Sequence, residues 1–150
     1  MFAICWRRTL VHPTTGPELQ QLLELDRKAM LRRLRDLARV VAILPSIELA
    51  RRQLGPAAIV GQLRSRAARQ KALSETDRRG LRAAIESIDA RIPGGPNCYR
   101  RALLEMALDP AAAREPLHMG LDASGAPRSG HAWLGALAQG NRSYDAVISL

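Results

Sequence analysis

The chain has 150 residues, 47% apolar and 25% charged, which fits one globular domain of the soluble type with a hydrophobic core. No apolar run approaches the roughly 18 residues of a membrane span. The arginines of MFAICWRRTLVHP follow its apolar run, the reverse of a secretory signal, so a cytoplasmic protein without membrane association is expected. The formal charge is +9, and Lys28 and Lys71 are the only lysines among 23 basic residues. Such a surface can attract nucleic acid, anionic lipid or an acidic peptide. Five aromatic residues (Phe2, Trp6, Tyr99, Trp133, Tyr144) are too few for a base-stacking platform, so nucleic acid is not the expected partner. Cys5 and Cys98 cannot build a disulfide framework, and with His12, His118 and His131 they show no close-spaced ligand pairs. Neither a metal nor an organic cofactor is expected.

In chain order, helical spacing is clearest over residues 17–44, where Leu19, Leu22, Leu23, Met30, Leu34, Leu37, Val41 and Leu44 form an apolar stripe. Pro17 suits a first turn, and Pro45 is expected to end the helix. A short helix over 46–54 then stops at Gly55-Pro56, and another covers 57–72, weakened by Gly61. Ser74-Glu-Thr-Asp77 resembles a capping box and opens a helix with Leu81, Ala84, Ile85, Ile88 and Ile92 on its inner face. Arginines 32, 33, 35, 51, 52, 64, 66 and 69 lie mostly off the apolar stripes and are expected to face solvent.

Pro93-Gly-Gly-Pro96 must break that helix. Asn97 is a good N-cap and leaves Cys98 in the first turn of the next helix. Tyr99, Ala102, Leu103, Met106 and Ala107 form its inner stripe, and it should end by Asp109 because Pro110 follows. Beyond residue 116 the period falls toward two. Strands are expected over 117–121, 130–134 and 143–148, with turns at 122–127 and 139–141.

A cysteine at a helix start raises a chemical question, because helix N-termini stabilise thiolates. Cys98, His131 and Asp145 follow in an order that suits nucleophilic catalysis. The thiolate attacks a carbonyl, the imidazole protonates the leaving amine, and the acid holds the imidazole tautomer. The Cys98 amide is a candidate oxyanion donor. A hairpin centred on Ala138 would set His131 opposite Asp145, whereas the Gly140-Asn141 turn would pair His131 with the last residues. Asp122 is the reserve acid. His118 is read as a strand residue without catalytic work, and Trp133 shares the face of His131.

PNCYRRALLEMAL followed by SGHAWLG resembles the transglutaminase-like cysteine proteases of lasso peptide biosynthesis, the B-type leader peptidases. The resemblance covers most of residues 30–150 and is specific around Cys98 and His131. It implies Cys98 as nucleophile, His131 as base and Asp145 as orienting acid. The family commonly carries a glutamate two residues after the tryptophan of the His-Ala-Trp motif, where this chain has Gly135.

The expected fold is α+β. A helical part (1–92) would pack on a minimal transglutaminase- or papain-like core (93–150) of a Cys-bearing helix and about three antiparallel strands, in one domain over 1–150. The resemblance implies removal of the leader from a lasso peptide precursor. It further implies a separate leader-recognition protein and an asparagine-synthetase-like cyclase as partners. The alternatives are a non-catalytic basic binding module for nucleic acid or an acidic partner, and a transamidase on the same fold.

Overall fold

A computed structural model describes residues 16–122, 129–135 and 144–150, without the side chains of 17–19. Cys5, Leu19 in its side chain, the expected turn at 139–141 and all but Asp122 of the one expected at 122–127 lie outside what is described, and Asp122 itself closes the first strand. Four helices come first: α1 (Gly16–Gln53), α2 (Pro56–Ala67), α3 (Glu75–Asp89) and α4 (Cys98–Leu108). A 3-10 turn at Ala112–Arg114 leads to three strands, β1 (Leu117–Asp122), β2 (Ser129–Leu134) and β3 (Ala146–Ser149). The architecture is α+β, as expected. The chain divides into two compact units, Met1–Leu31 and Arg32–Leu150, and the boundary falls inside α1.

Pro45 does not end the first helix. It sits within α1, which continues to Gln53, so there is no separate helix over 46–54. A proline inside a helix removes one backbone bond and crowds the preceding turn. Here Pro45 is on the exposed side, while Val40 and Ile47, seven residues apart on one face, are both buried. Burial on either side of the proline holds the helix together across it. The expected stripe is also corrected. Leu22, Leu23 and Met30 in the first unit are exposed, as are Leu34 and Val41 in the second. The packed face carries Asp36, Val40 and Ile47 instead, with Leu37 and Leu44 at its margin. Every third or fourth position of α1 is apolar on more than one side, so spacing alone could not select the buried side.

The later helices follow the sequence more closely. Ser74 caps α3, its hydroxyl accepting from the Asp77 amide at 3.2 Å. Leu81, Ala84 and Ile85 are buried, and Ile88 packs at the core margin. α4 is the central element, touching α2, α3, the 3-10 turn and β2. Leu103, Leu104 and Met106 are each completely buried, so this helix is enclosed on nearly every side.

The sheet order is β2-β1-β3, with both pairings antiparallel. Neither expected arrangement of β2 and β3 occurs, because β1 lies between them. β1 pairs Gly120 with His131 on one side and with Val147 on the other. Period-two patterning identifies strands without ordering them. The order follows burial, since β1 is largely buried and β3 is exposed along its length. A second device fixes it. The Tyr144 ring lies flat over Gly120, where a Cβ would come within 2.6 Å of the ring.

Replacing Pro45 by alanine should restore the missing helical bond without disturbing buried groups. Pro45→Ala is expected to raise stability by about 1–3 kcal/mol, measured by urea unfolding with the slope unchanged.

Candidate active site

The N-terminus of α4 is held from behind by an ion cluster. Asp89, the last residue of α3, is completely buried. Its carboxylate accepts from the Asn97 amide at 2.9 Å and from the guanidinium Nε of both Arg100 and Arg101. Arg100 is itself buried, donates to the Gly95 carbonyl at 2.8 Å, and meets Glu48 of α1 at 3.5 Å. Asn97 then caps α4, its Oδ1 accepting from the Arg100 amide at 2.9 Å. The Pro-Gly-Gly-Pro turn is thereby tied at both ends, with Gly94 and Gly95 in the left-handed region (φ +92° and +81°) that side chains disfavour. Burial raises the Asp89 pKa more than any other single influence. The Asn97 amide and the two guanidiniums together outweigh it and hold the carboxyl below its ordinary 3.8.

Cys98 is the first residue of α4 and is half-buried. Its Sγ accepts the Ala132 amide proton at 3.2 Å, and its S–H faces the Gly130 carbonyl at 3.8 Å. β2 is an edge strand, and the register turns the amides and carbonyls of Gly130, Ala132 and Leu134 away from β1. The sulfur therefore occupies a ladder position on the open edge of β2, between the two neighbours of His131. The Ala132 amide and the N-terminal end of α4 both direct the positive ends of their dipoles at the sulfur.

His131 and Cys98 line one open cleft of about 400 Å³, together with Arg82, Arg101, Glu105, Glu115 and Trp133. The imidazole is stacked, with its ring centre 5.7 Å from that of Trp133 and 6.4 Å from that of Tyr144. Trp133 is in turn packed on Tyr144 at 5.3 Å and on His118 at 5.4 Å. His118 is buried, with Nδ1 at 2.7 Å from the Ser149 hydroxyl and Nε2 at 2.8 Å from the Gly135 carbonyl. A carbonyl only accepts, so Nε2 donates, and in the neutral ring Nδ1 accepts from Ser149. His118 thus anchors β2 to β3 across β1 beneath the aromatic layer. Trp133 shares the sheet face of His131, as its spacing of two predicts.

The acids stand at the His131 end of the sheet. Asp122 closes β1, the strand next to His131, and pairs with Ser129. Asp145 lies just before β3, one strand further out, and its amide donates to the Leu121 carbonyl at 3.0 Å. Sequence reading missed Asp89, Arg100 and Tyr144. A lone acid at a helix end and an arginine inside an apolar helix carry no local signal of burial. Arg64 was also misjudged as solvent-facing. It donates to the carbonyls of Ala113, Glu115 and Leu150, and so holds the 3-10 turn to β3's end. Arg51 is likewise engaged, bonded to Glu48 at 2.8 Å and lying over the Tyr99 ring. At Gly135, φ is +94° and a Cβ would stand 3.1 Å from Glu115 Oε2, so glycine suits the backbone there. Among the described residues no three potential ligands gather as a metal site, and no helix is long and apolar enough to cross a membrane.

A Cys-bearing helix packed on an antiparallel sheet, with a histidine strand at its N-terminus, defines the class of the transglutaminase-like fold. The family model of the transglutaminase-like superfamily matches residues 41–144. The chain belongs to that superfamily. No curated protein and no solved structure matches it.

Asp89→Asn should leave the buried Arg100 undercompensated and cost about 3 kcal/mol. The sign with pH follows from the lowered pKa. The wild-type contribution is present above pH 3.8 and is lost as pH falls through the lower folded value. Urea titrations between pH 2 and 7 should show the difference between wild type and variant shrinking only at the acid end.

Proposed function

We propose that this protein is a cysteine peptidase that removes the leader from a lasso peptide precursor. The observation that carries the catalytic part is the Cys98 sulfur at a helix N-terminus, bonded to the amide next to His131 in a shared cleft. The superfamily match supports acyl-transfer chemistry at cysteine. The lasso substrate rests on the resemblance of PNCYRRALLEMAL and SGHAWLG alone.

In this reading the Cys98 thiolate attacks the scissile carbonyl and forms a tetrahedral oxyanion within reach of the helix N-terminal amides. The imidazolium of His131 gives its proton to the departing amine, leaving an acyl-enzyme on sulfur. His131 then takes a proton from water, which attacks the thioester and restores the thiol. The acid that orients His131 is Asp145, with Asp122 in reserve. Trp133 and Tyr144 restrict the imidazole to rotation within its stack and keep one ring face from water. If an amine replaces water in the second step, the same site becomes a transamidase. A separate recognition protein would present the leader, and an asparagine-synthetase-like cyclase would use the freed amine.

The test mixes a candidate precursor and recognition protein with enzyme variants and reads product masses over time. Cys98→Ala and His131→Ala should each lower the rate by more than about 1000-fold. Normal cleavage by Cys98→Ala would remove the proposed nucleophile. Asp145→Ala should lose about 100-fold or more with Asp122→Ala much less affected, and the reverse pattern would transfer the role to Asp122. Added amine that leaves the hydrolysis product unchanged favours the peptidase over the transamidase.

A further inference from the structure

Two arginines and two glutamates line the Cys98 cleft, and three of the four already have a bonded partner. Arg82 bonds Glu105 through Nε, and Arg101 bonds the buried Asp89. That leaves Glu115, which lines the same cleft, half-buried, with no hydrogen-bond or ion-pair partner among the described residues. Arg82 feels the field of Glu115, but it is held first by its bond to Glu105.

Glu115 is also fixed in place. Its amide donates to the Ala112 carbonyl at 3.1 Å, and its own carbonyl accepts from Arg64 at 3.1 Å. Its Oε2 lies against Gly135, in the space a side chain at 135 would take. A carboxylate fixed in place therefore lines the same cleft as the sulfur, in a chain of net charge +9. A half-buried carboxylate without a bonded cation is incompletely compensated, and a ligand cation completes it.

We propose that Glu115 is a specificity-determining residue that receives a cationic group, ammonium or guanidinium, of the peptide presented to Cys98. The proposal rests on Cys98 being the nucleophile. The carboxylate rewards a substrate with a lysine, arginine or free amine near the reacting carbonyl, and repels one with an acid there. The basic exterior and the cleft then sort different parts of one peptide. The helix N-terminus and the arginine rim draw anions in general, and Glu115 reverses that preference locally.

The experiment labels the intact protein with aminoethyl, sulfonatoethyl and methyl methanethiosulfonate, one cationic, one anionic and one neutral. In each case the thiolate attacks the reagent's sulfenyl sulfur, forming a disulfide and releasing methanesulfinate. Peptide mass mapping separates Cys98 from Cys5. Glu115→Gln should lower the cationic-to-anionic rate ratio at Cys98 by about three- to tenfold, from one unit charge across several ångströms of partly wet cleft. The methyl reagent should react within about twofold of wild type, and Glu115→Asp should retain most of the ratio. Glu86→Gln, the same charge change on the exposed side of α3, should leave the ratio unmoved. An unchanged ratio in Glu115→Gln, or an equal shift in Glu86→Gln, overturns the cation site while leaving the nucleophile intact. If the methyl reagent labels Cys98 no faster than Cys5 in wild type, the nucleophile reading fails, and the cation site fails with it.

Discussion

The buried Asp89 carboxylate is the constraint on which the reactive end of the molecule depends. It joins the C-terminus of α3, the turn at 93–97 and the first two arginines of α4 through three donors. Without those donors a carboxylate at that depth would be strongly unfavourable. With them it fixes the direction in which α4 leaves the turn, and so the position of the Cys98 sulfur. Asn97 belongs to the same arrangement twice, giving its amide to Asp89 and its side-chain oxygen to the cap of α4. The rest of α4, enclosed by α2, α3 and β2, supplies the rigidity that the turn alone could not.

The sheet answers this helix with an edge and a face. The edge of β2 offers an amide to the sulfur, in the place where another strand would otherwise pair. The opposite need, a defined imidazole, is met on the face by a layer running from His118 through Trp133 to His131 and Tyr144. Gly120 matters here because it is the floor on which the Tyr144 ring rests. A side chain at 120 would lift that ring and loosen the stack around His131. Thiol and imidazole are therefore set by different elements, which meet at the edge of β2 around residues 130–132.

Local chemistry was readable where it is written in adjacent residues. The Ser74 and Asn97 caps, the break at Pro93-Gly-Gly-Pro96, the stop before Pro110 and the three strands all follow from neighbours in sequence. That Cys98 and the His131 strand belong together was expected from their order and from the resemblance that PNCYRRALLEMAL and SGHAWLG carry, and the Cys98 sulfur bonds the edge of β2. What sequence left open depends on tertiary choice. α1 has apolar residues on more than one side, and the side that packs was chosen by α4 and its neighbours. Pro45 survives inside a helix because its ring faces solvent and Val40 and Ile47 hold the chain on the other side. Strand order was invisible because alternation is the same for a central and an edge strand.

The arginine content reads differently once contacts are known. A formal charge of +9 suggests an outward-facing basic surface, yet many of these guanidiniums point inward at fixed oxygen atoms. Arg39 bonds the Leu108 carbonyl at the end of α4, Arg64 bonds three carbonyls, and Arg78 forms an ion pair with the buried Asp109 at 2.8 Å. Arg100 and Arg101 divide one carboxylate between them. A planar fork with five donors can satisfy several helix-terminal carbonyls at once, which an ammonium cannot do as well. This accounts for the near absence of lysine without invoking a polyanionic partner. Part of the positive charge thus joins elements whose terminal carbonyls and buried carboxylates would otherwise be unsatisfied.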